Sequence, residues 1–589
     1  MAFWTLLITI VIVILGYRYY TNRVDQQIVA ADPKRATPAK MYNDGVDFMP
    51  ASGSVLFGYQ FKSIAALGPI VGPITAVQWG WLPAVLWLIV GVFFIGWVQD
   101  YASAMMAMRN DGMTMGGLAY KYISPRARGI LLSFLYFYLL LIMGAFGAVV
   151  AGLLAAPTVP IGFLILTLAG VLAGQMTYRW RMDLVMTTVV TVLIALVGIW
   201  LGTMPWAQSI VKAINGMAGN AEGVLYSTPY GPMKWSVWFW GIIALVFTYF
   251  GSVLPIWRFA QPVNYVSFWF VMLGIVGSIL GVIIATFTGA TGVSFEIPAY
   301  IAFNNHLGPL WPILFVTISC GAISGWHSLV STSGTARQLE KETDAKPVTA
   351  GAMYTEAVLA VLAVVFAATA IAKADGSVLY DAANGYKLSV GAGGIWIYGM
   401  ARFLSVVGIP ADLGGAIGGI FLAVMALTVM QLVLRFMRVA SAELLGDKII
   451  AFKNPHVGSL VAIAFTLLIL WTAFWQRIWV LFGGANQLFA GLALLLVTIW
   501  LANEGKKYEW VFWPGVFMYV TTVAALLITA WKSFSAAFAP DTAAAFMVGN
   551  LIAGLIGLFL AIAALILAWD GWKSLSTARS KMAAAPSGD

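Results

Sequence analysis

An apolar run that carries its own helix breakers constrains this chain more than any other feature. Residues 64–83 read IAALGPIVGPITAVQWGWLP, apolar enough to enter a bilayer yet interrupted by Gly68-Pro69 and Gly72-Pro73. Each proline removes a backbone donor and clashes with the preceding turn, which costs about 3 kcal/mol or more inside a regular helix. In hydrocarbon the freed groups have no water to turn to. They must be covered by protein or line a wet cavity, and discontinuous helices of this kind form the central binding sites of many secondary carriers.

The surroundings are a membrane. The chain is 61% hydrophobic and 9% charged, against roughly 25% charged residues in a soluble protein, so it reads as a polytopic membrane protein with lipid as its constant partner. Trp and Tyr gather near the ends of the apolar runs, as interfacial anchoring requires. The net charge of +9 is scattered over short loops, which argues against a nucleic-acid partner. The one cysteine, Cys320, excludes an internal disulfide and a cysteine-based metal cluster, and reads as a small core residue.

Runs long enough to cross roughly 30 Å of hydrocarbon number about fifteen, from 3–20 to 546–569. The run at 391–407 contains Arg402 and is read as an interfacial helix. With the N-terminus outside and the C-terminus in the cytoplasm, most of the 32 Lys and Arg residues, Lys62 among them, fall in segments predicted to be cytoplasmic. Only Lys212, Lys234, Lys373, Lys387, Arg402, Arg477 and Lys532 fall outside, in agreement with the positive-inside rule. The expected divisions are an extra span and linker at 1–60, a first core repeat at 61–203, a second at 236–436, and a four-helix extension with a short disordered tail at 456–589.

Counting from the 61–80 span, the sixth core span, 236–257, reads FTYFGSVLPIWR near its end, where Gly251 and Pro255 supply breakers. Five spans per half is an odd number, so the second half enters from the opposite side. The expected fold is therefore all-α, with a five-plus-five inverted repeat (LeuT-like) whose first and sixth core helices are discontinuous. Gly68, Pro69, Gly72 and Gln78 of the first break and Gly251, Ser252 and Pro255 of the second are the candidate substrate-binding residues. The plainer reading of each break is close packing by small residues.

Ionisable residues within spans are costly and default to functional hypotheses. Asp100 lies beside Gln99, and His327 sits among Ser324, Ser328, Ser331, Thr332 and Ser333. Asp100, His327, Ser328, Ser331 and Thr332 form the candidate coupling-ion site, for H⁺ through imidazole and carboxylate or for Na⁺ through hydroxyl and carbonyl oxygens. The alternative is that Asp100 and Glu356 anchor helix ends and that His327 is a packing residue. Asn486 and Gln487 need partners in a membrane helix, whether structural or beside the pathway. Phosphate loops, metal-ligand spacings and nucleophile–base pairs are not found, so neither catalytic residues, nor a cofactor, nor a metal site is expected.

Several segments carry a resemblance. Residues 43–51 (NDGVDFMPA), 57–116 (FGYQFKSIAALGPIVGPITAVQWGWLP through NDGMTMG), 324–353 (SGWHSLVSTSGTARQLEKETDAKPVTAGAM) and 483–496 (GGANQLFAGLALLL) resemble the carbon starvation protein A family. The resemblance implies an inner-membrane secondary carrier for peptides or, by proton symport, pyruvate, and a distant kinship with the amino acid–polyamine–organocation superfamily. Where the family commonly has a His-His pair, this chain has Tyr59-Gln60, so no role of that pair transfers. The expected function is cation-coupled uptake of a small carboxylate or short peptide by alternating access. The competing expectation is a membrane-embedded sensor or structural component that binds a metabolite without moving it.

Overall fold

Long apolar runs in a bilayer close their backbone hydrogen bonds within helices, and the chain does so almost throughout. The computed structural model describes residues 1–219, 223–540 and 542–584; the end of the expected disordered tail, 585–589, lies outside them. Among the described residues twelve helices are long and apolar enough to cross a membrane, and the bent pair Gly53–Ile64 and Gly68–Trp79 makes a thirteenth. The shorter apolar helix Pro455–Trp471 and an interrupted segment at 310–334 account for the remaining expected runs. The strands are two short hairpins.

The first break follows from its sequence. The helix Gly53–Ile64 stops at Ala65, and Gly68–Ala76 restarts with Pro69 in its first turn, where a missing N–H leaves no bond unmade. The two pieces meet at 44°.

The expected partner is corrected. The sixth core span, Trp235–Val253, is one continuous helix, and Gly251 and Ser252 lie in its last turn, with Pro255 in the loop beyond. Glycine and proline end this helix rather than interrupt it. The second broken span is 310–334, which unwinds over 318–324 and resumes at Gly325. No proline lies within the unwound stretch. Its glycine, Gly321, has φ +83° and so close an approach to Ala360 that a Cβ would lie 2.5 Å from it.

Two runs of the chain share an order of elements. The first broken span is followed by Trp81–Met108, the short helix Met115–Tyr122 and Pro125–Leu154. The second is followed by Glu342–Ala368, the helix Ala392–Val406 and Ala411–Leu445. Six spans separate the two breaks, an even number, so the broken spans run in opposite directions. Each broken span packs on the other run's second helix, and Pro125–Leu154 packs on Ala411–Leu445. Phe482–Asn503, within the expected C-terminal extension, packs on the two helices that follow it and also on the second broken span and Trp97–Met108, and is buried between them.

The breaks touch each other. A Cβ on Gly68 would lie 2.5 Å from Cys320 Sγ, and one on Gly72 would lie 2.6 Å from the carbonyl oxygen of Thr317. Backbone cannot yield as a flexible side chain does, so Gly72→Val is expected to destabilise the protein by about 1–3 kcal/mol through overpacking. A lowered unfolding midpoint of the detergent-purified protein checks this, and an unchanged midpoint would remove the claim of contact.

Candidate substrate cavity and buried ionisable centre

The unwound stretch 318–324 leaves its backbone groups without helical partners, and polar side chains from three neighbouring helices supply them. Asn486 donates to the Ser319 carbonyl at 2.8 Å, while its own carbonyl accepts from Ser324 Oγ and the Trp326 amide, both at 3.1 Å, and from Tyr138 OH at 2.6 Å. Gln487 Nε2 reaches the carbonyls of Ile318 and Ile323 at 3.3 and 3.1 Å. Gln99 Nε2 donates to the Ser324 carbonyl at 2.6 Å and to Ser328 Oγ. Glu356 Oε1 accepts the Gly321 N–H at 3.1 Å. Asn486 and Gln487 are thus structural partners of the break.

Directly behind this stretch lies a buried triad. His327 Nδ1 is 3.2 Å from Asp100 Oδ2, and its Nε2 is 3.2 Å from Glu356 Oε2, with all three side chains fully buried. Two carboxyl groups on one imidazole form a compact site whose charge changes with each proton it holds. The sequence placed Asp100 with His327 but read Glu356 as the anchor of a helix end. The helix begins earlier than expected, at residue 342, which sets Glu356 deep in the span.

The remaining predicted coupling residues lie along the resumed helix. Ser331 Oγ accepts from Gln60 Nε2 at 3.1 Å, and Thr335 Oγ1 donates to Gln60 Oε1. Ser328 Oγ is taken by Gln99, and Thr332 Oγ1 donates to its own helix at the Ser328 carbonyl, 2.7 Å away. Gln60 therefore ties the two broken helices together.

On the other side of the unwound stretch is a cavity of about 480 Å³. Gly68, Gly72 and Thr75 of the first broken helix and Thr317 and Ser319 of the second form part of its wall, with Phe146 and Phe482. Arg477 and Lys532 also line it, and among the described residues no carboxylate does. Arg477 lies over the Phe546 ring at 4.7 Å, and Lys532 Nζ donates to the Leu307 carbonyl at 2.7 Å. Among the described residues neither has an acidic partner within 4 Å. The sequence had sorted both only as loop charges; their convergence needs the tertiary fold.

Other predicted substrate residues lie elsewhere. Pro69 is buried in the first turn of its half-helix. Gln78 is buried and accepts the Leu388 N–H at 3.3 Å, away from the cavity. Gly251, Ser252 and Pro255 belong to the opposite face. There the Gly251 carbonyl accepts from Arg435 at 3.2 and 3.1 Å, and Ser252 Oγ bonds Ser459 Oγ at 2.8 Å. Asp47 pairs with Arg435, and with Arg438 at 3.3 Å. Burial pushes the Asp47 carboxyl up, but the guanidinium groups of Arg435, Arg438 and Arg337 outweigh it and hold it below its usual value.

Two apposed broken helices, a cationic cavity on one side and a buried ionisable triad on the other define a polytopic membrane protein with a central discontinuous-helix site. The family profile described as "Carbon starvation protein CstA" matches residues 1–384 and 378–525, and the chain belongs to that family. It is 28% identical to the peptide transporter CstA of Escherichia coli (strain K12), over 93% of this chain and 82% of the relative. Identity to the peptide transporter CstA of Bacillus subtilis (strain 168) is 27%, over 96% of each chain. The pyruvate/proton symporter BtsT of Escherichia coli (strain K12) is 31% identical, over 62% of this chain and 49% of its own length. These relatives are named as transporters, not enzymes. Among solved structures, a manganese transporter of Eremococcus coleocola aligns with 91% of this chain and 99% of its own at 11% identity, with a TM-score of 0.42. MhsT in complex with L-phenylalanine aligns with 89% of this chain and 99% of its own at 14% identity, with a TM-score of 0.40.

Two predictions follow from this geometry. Asn486→Leu leaves several buried partners unpaired at about 1–3 kcal/mol each, so it should lower the unfolding midpoint far more than Thr498→Val on the same helix. Because the folded Asp47 carboxyl is held low, its contribution to stability is present above the unfolded value and is lost only as pH falls through the folded one. Asp47→Asn should therefore destabilise the protein at neutral pH without introducing a new titration near neutrality, as unfolding midpoints across a pH series would register.

Proposed function

We propose that the chain is a secondary active transporter of the cytoplasmic membrane that takes up small carboxylates or short peptides by proton-coupled alternating access. The observation that carries this reading is the shared wall. One unwound strand, 318–324, lines the cationic cavity on one side through Ser319 and is held on the other by Glu356 of the triad. A substrate carboxylate would lie between Arg477 and Lys532, with its apolar part against Phe146 and Phe482. A proton arriving at Glu356 weakens its hold on the Gly321 N–H, since a carboxylic acid accepts a hydrogen bond less strongly than a carboxylate. Substrate and proton thereby act on one backbone segment.

The two similarly ordered runs serve as inverted repeats that rock against each other about this segment. The cavity then opens to the outer side, and the Asp47–Arg435–Arg438 cluster closes the inner one. The names of the relatives support the substrate class, carboxylate or peptide, and the symporter among them supports H⁺.

Vesicles containing the purified protein should accumulate pyruvate or a dipeptide when the outside is acidified. His327→Gln keeps the side-chain size but not its proton chemistry. It is expected to abolish gradient-driven accumulation while leaving substrate counterflow. Arg477→Gln should raise KM by about tenfold, the equivalent of about 1.4 kcal/mol. Substrate binding with no flux under any gradient would instead support the sensor reading.

A further inference from the structure

Cys320 is the single cysteine of the chain, and it sits buried in the unwound stretch 318–324. Its sulfur, a ring nitrogen of His327 and a carboxylate oxygen of Glu356 all lie within 4.8 Å of one another. No metal site is expected from the sequence, since these three residues stand 7 and 29 positions apart and show no short ligand spacing. The break in the helix brings them together.

Two of the three groups keep an atom free for a ligand. His327 Nε2 and Glu356 Oε2 are 3.2 Å apart, fully buried, and among the described residues neither atom has a hydrogen-bond partner. The other polar atom of each side chain holds it in place. His327 Nδ1 meets Asp100 Oδ2 at 3.2 Å, and Glu356 Oε1 accepts the Gly321 N–H at 3.1 Å. Cys320 Sγ makes only long contacts, with Ser324 Oγ at 3.3 Å and Asn486 Nδ2 at 3.8 Å. Unpaired polar atoms in a buried site are costly, and two aimed at one point call for something between them.

A metal ion fits that description. Tetrahedral Zn²⁺ with bonds of about 2.0–2.1 Å to nitrogen and oxygen holds those two atoms about 3.3 Å apart. A ligating histidine is commonly oriented by a carboxylate on its other ring nitrogen, which is the relation of Asp100 to His327. Thiolate and imidazole suit a borderline divalent cation better than Mg²⁺ or Ca²⁺. Thiolate and carboxylate together balance its two charges where water is excluded. We propose that Cys320, His327 and Glu356 form a binding site for a divalent cation of the Zn²⁺ class, with Asp100 as the positioning residue behind His327. A bound ion ties the unwound stretch to the resumed helix and to Glu342–Ala368. The site stands independently of transport, while its consequence, that filling it arrests flux, rests on the transporter reading above.

Co²⁺ reports such a site by its visible absorption, and a thiolate ligand adds a charge-transfer band in the near ultraviolet. The full chain, purified in detergent without a histidine tag, is given Co²⁺ during expression and again after purification. It should hold one ion per chain with both signals, and Zn²⁺ should displace it. The charge-transfer band has one possible source, because the chain has a single cysteine. Cys320→Ser should lose the band and at least about tenfold in Zn²⁺ affinity. Asp100→Asn should keep the band and weaken binding by about 10–100-fold. Co²⁺ bound without the band, or no Co²⁺ bound, overturns the proposal, and the unaltered protein alone gives that answer should a variant fail to fold. In vesicles Zn²⁺ should block uptake by the unaltered protein and spare Cys320→Ser. Absence of uptake under every condition would count against the transport reading alone, because the spectra do not depend on flux.

Discussion

Backbone that leaves a helix inside hydrocarbon must find every hydrogen bond again, and that constraint organises the centre of this molecule. The stretch 318–324 is paired by Asn486, Gln487, Gln99 and Glu356, side chains drawn from three different helices. An unmet buried donor or acceptor costs about 1–3 kcal/mol, so these partners are conditions for the break to exist at all. They also explain why Phe482–Asn503 is buried although it comes late in the chain: it carries two of them.

Close approach does the complementary work. Gly68 against Cys320 and Gly72 against the Thr317 carbonyl let the two broken helices meet without intervening side chains. Their contact forms the floor of the cavity, and the same glycines appear in its wall. The substrate side and the triad side are consequently separated by little more than one strand, a separation that bulkier residues would widen. In this arrangement packing and cavity shape are one property of the crossing.

Much of this was legible in the sequence, and the failures have physical causes. The spans and the first break follow from hydropathy and from Gly68-Pro69, because both are local. Asp100 and His327 stand out because charge in a span is rare. The second break was sought where Gly251 and Pro255 imitate the first, but a helix can also be broken by what lies around it. At 318–324 the local signal is one glycine and two hydroxyls, and the decisive partners sit up to 225 residues away in sequence. Lys62 and Glu356 lie deeper than expected for a simpler reason: both helices begin before the hydrophobic run does, so a boundary drawn from hydropathy puts Lys62 in a cytoplasmic segment and Glu356 just inside its span, whereas both are buried.

The charges fall into layers that bear on how the site would operate. Among the described residues Arg477 and Lys532 face the cavity without acidic partners, the triad lies beside the unwound stretch, and Asp47 pairs with Arg435 and Arg438 at the opposite face. On the transport reading proposed above, an anionic substrate in the cavity and a proton at the triad would both act on the unwound stretch, at a separation on the order of 10 Å. At an effective dielectric near 20, unit charges at that separation interact by about 1.7 kcal/mol. That is enough for each ligand to strengthen the other's binding by more than tenfold, and the effect is reciprocal by thermodynamic necessity. On the same transport reading, the arrangement would favour loading substrate and proton together over loading either alone, the condition a symporter must meet before its broken helices move.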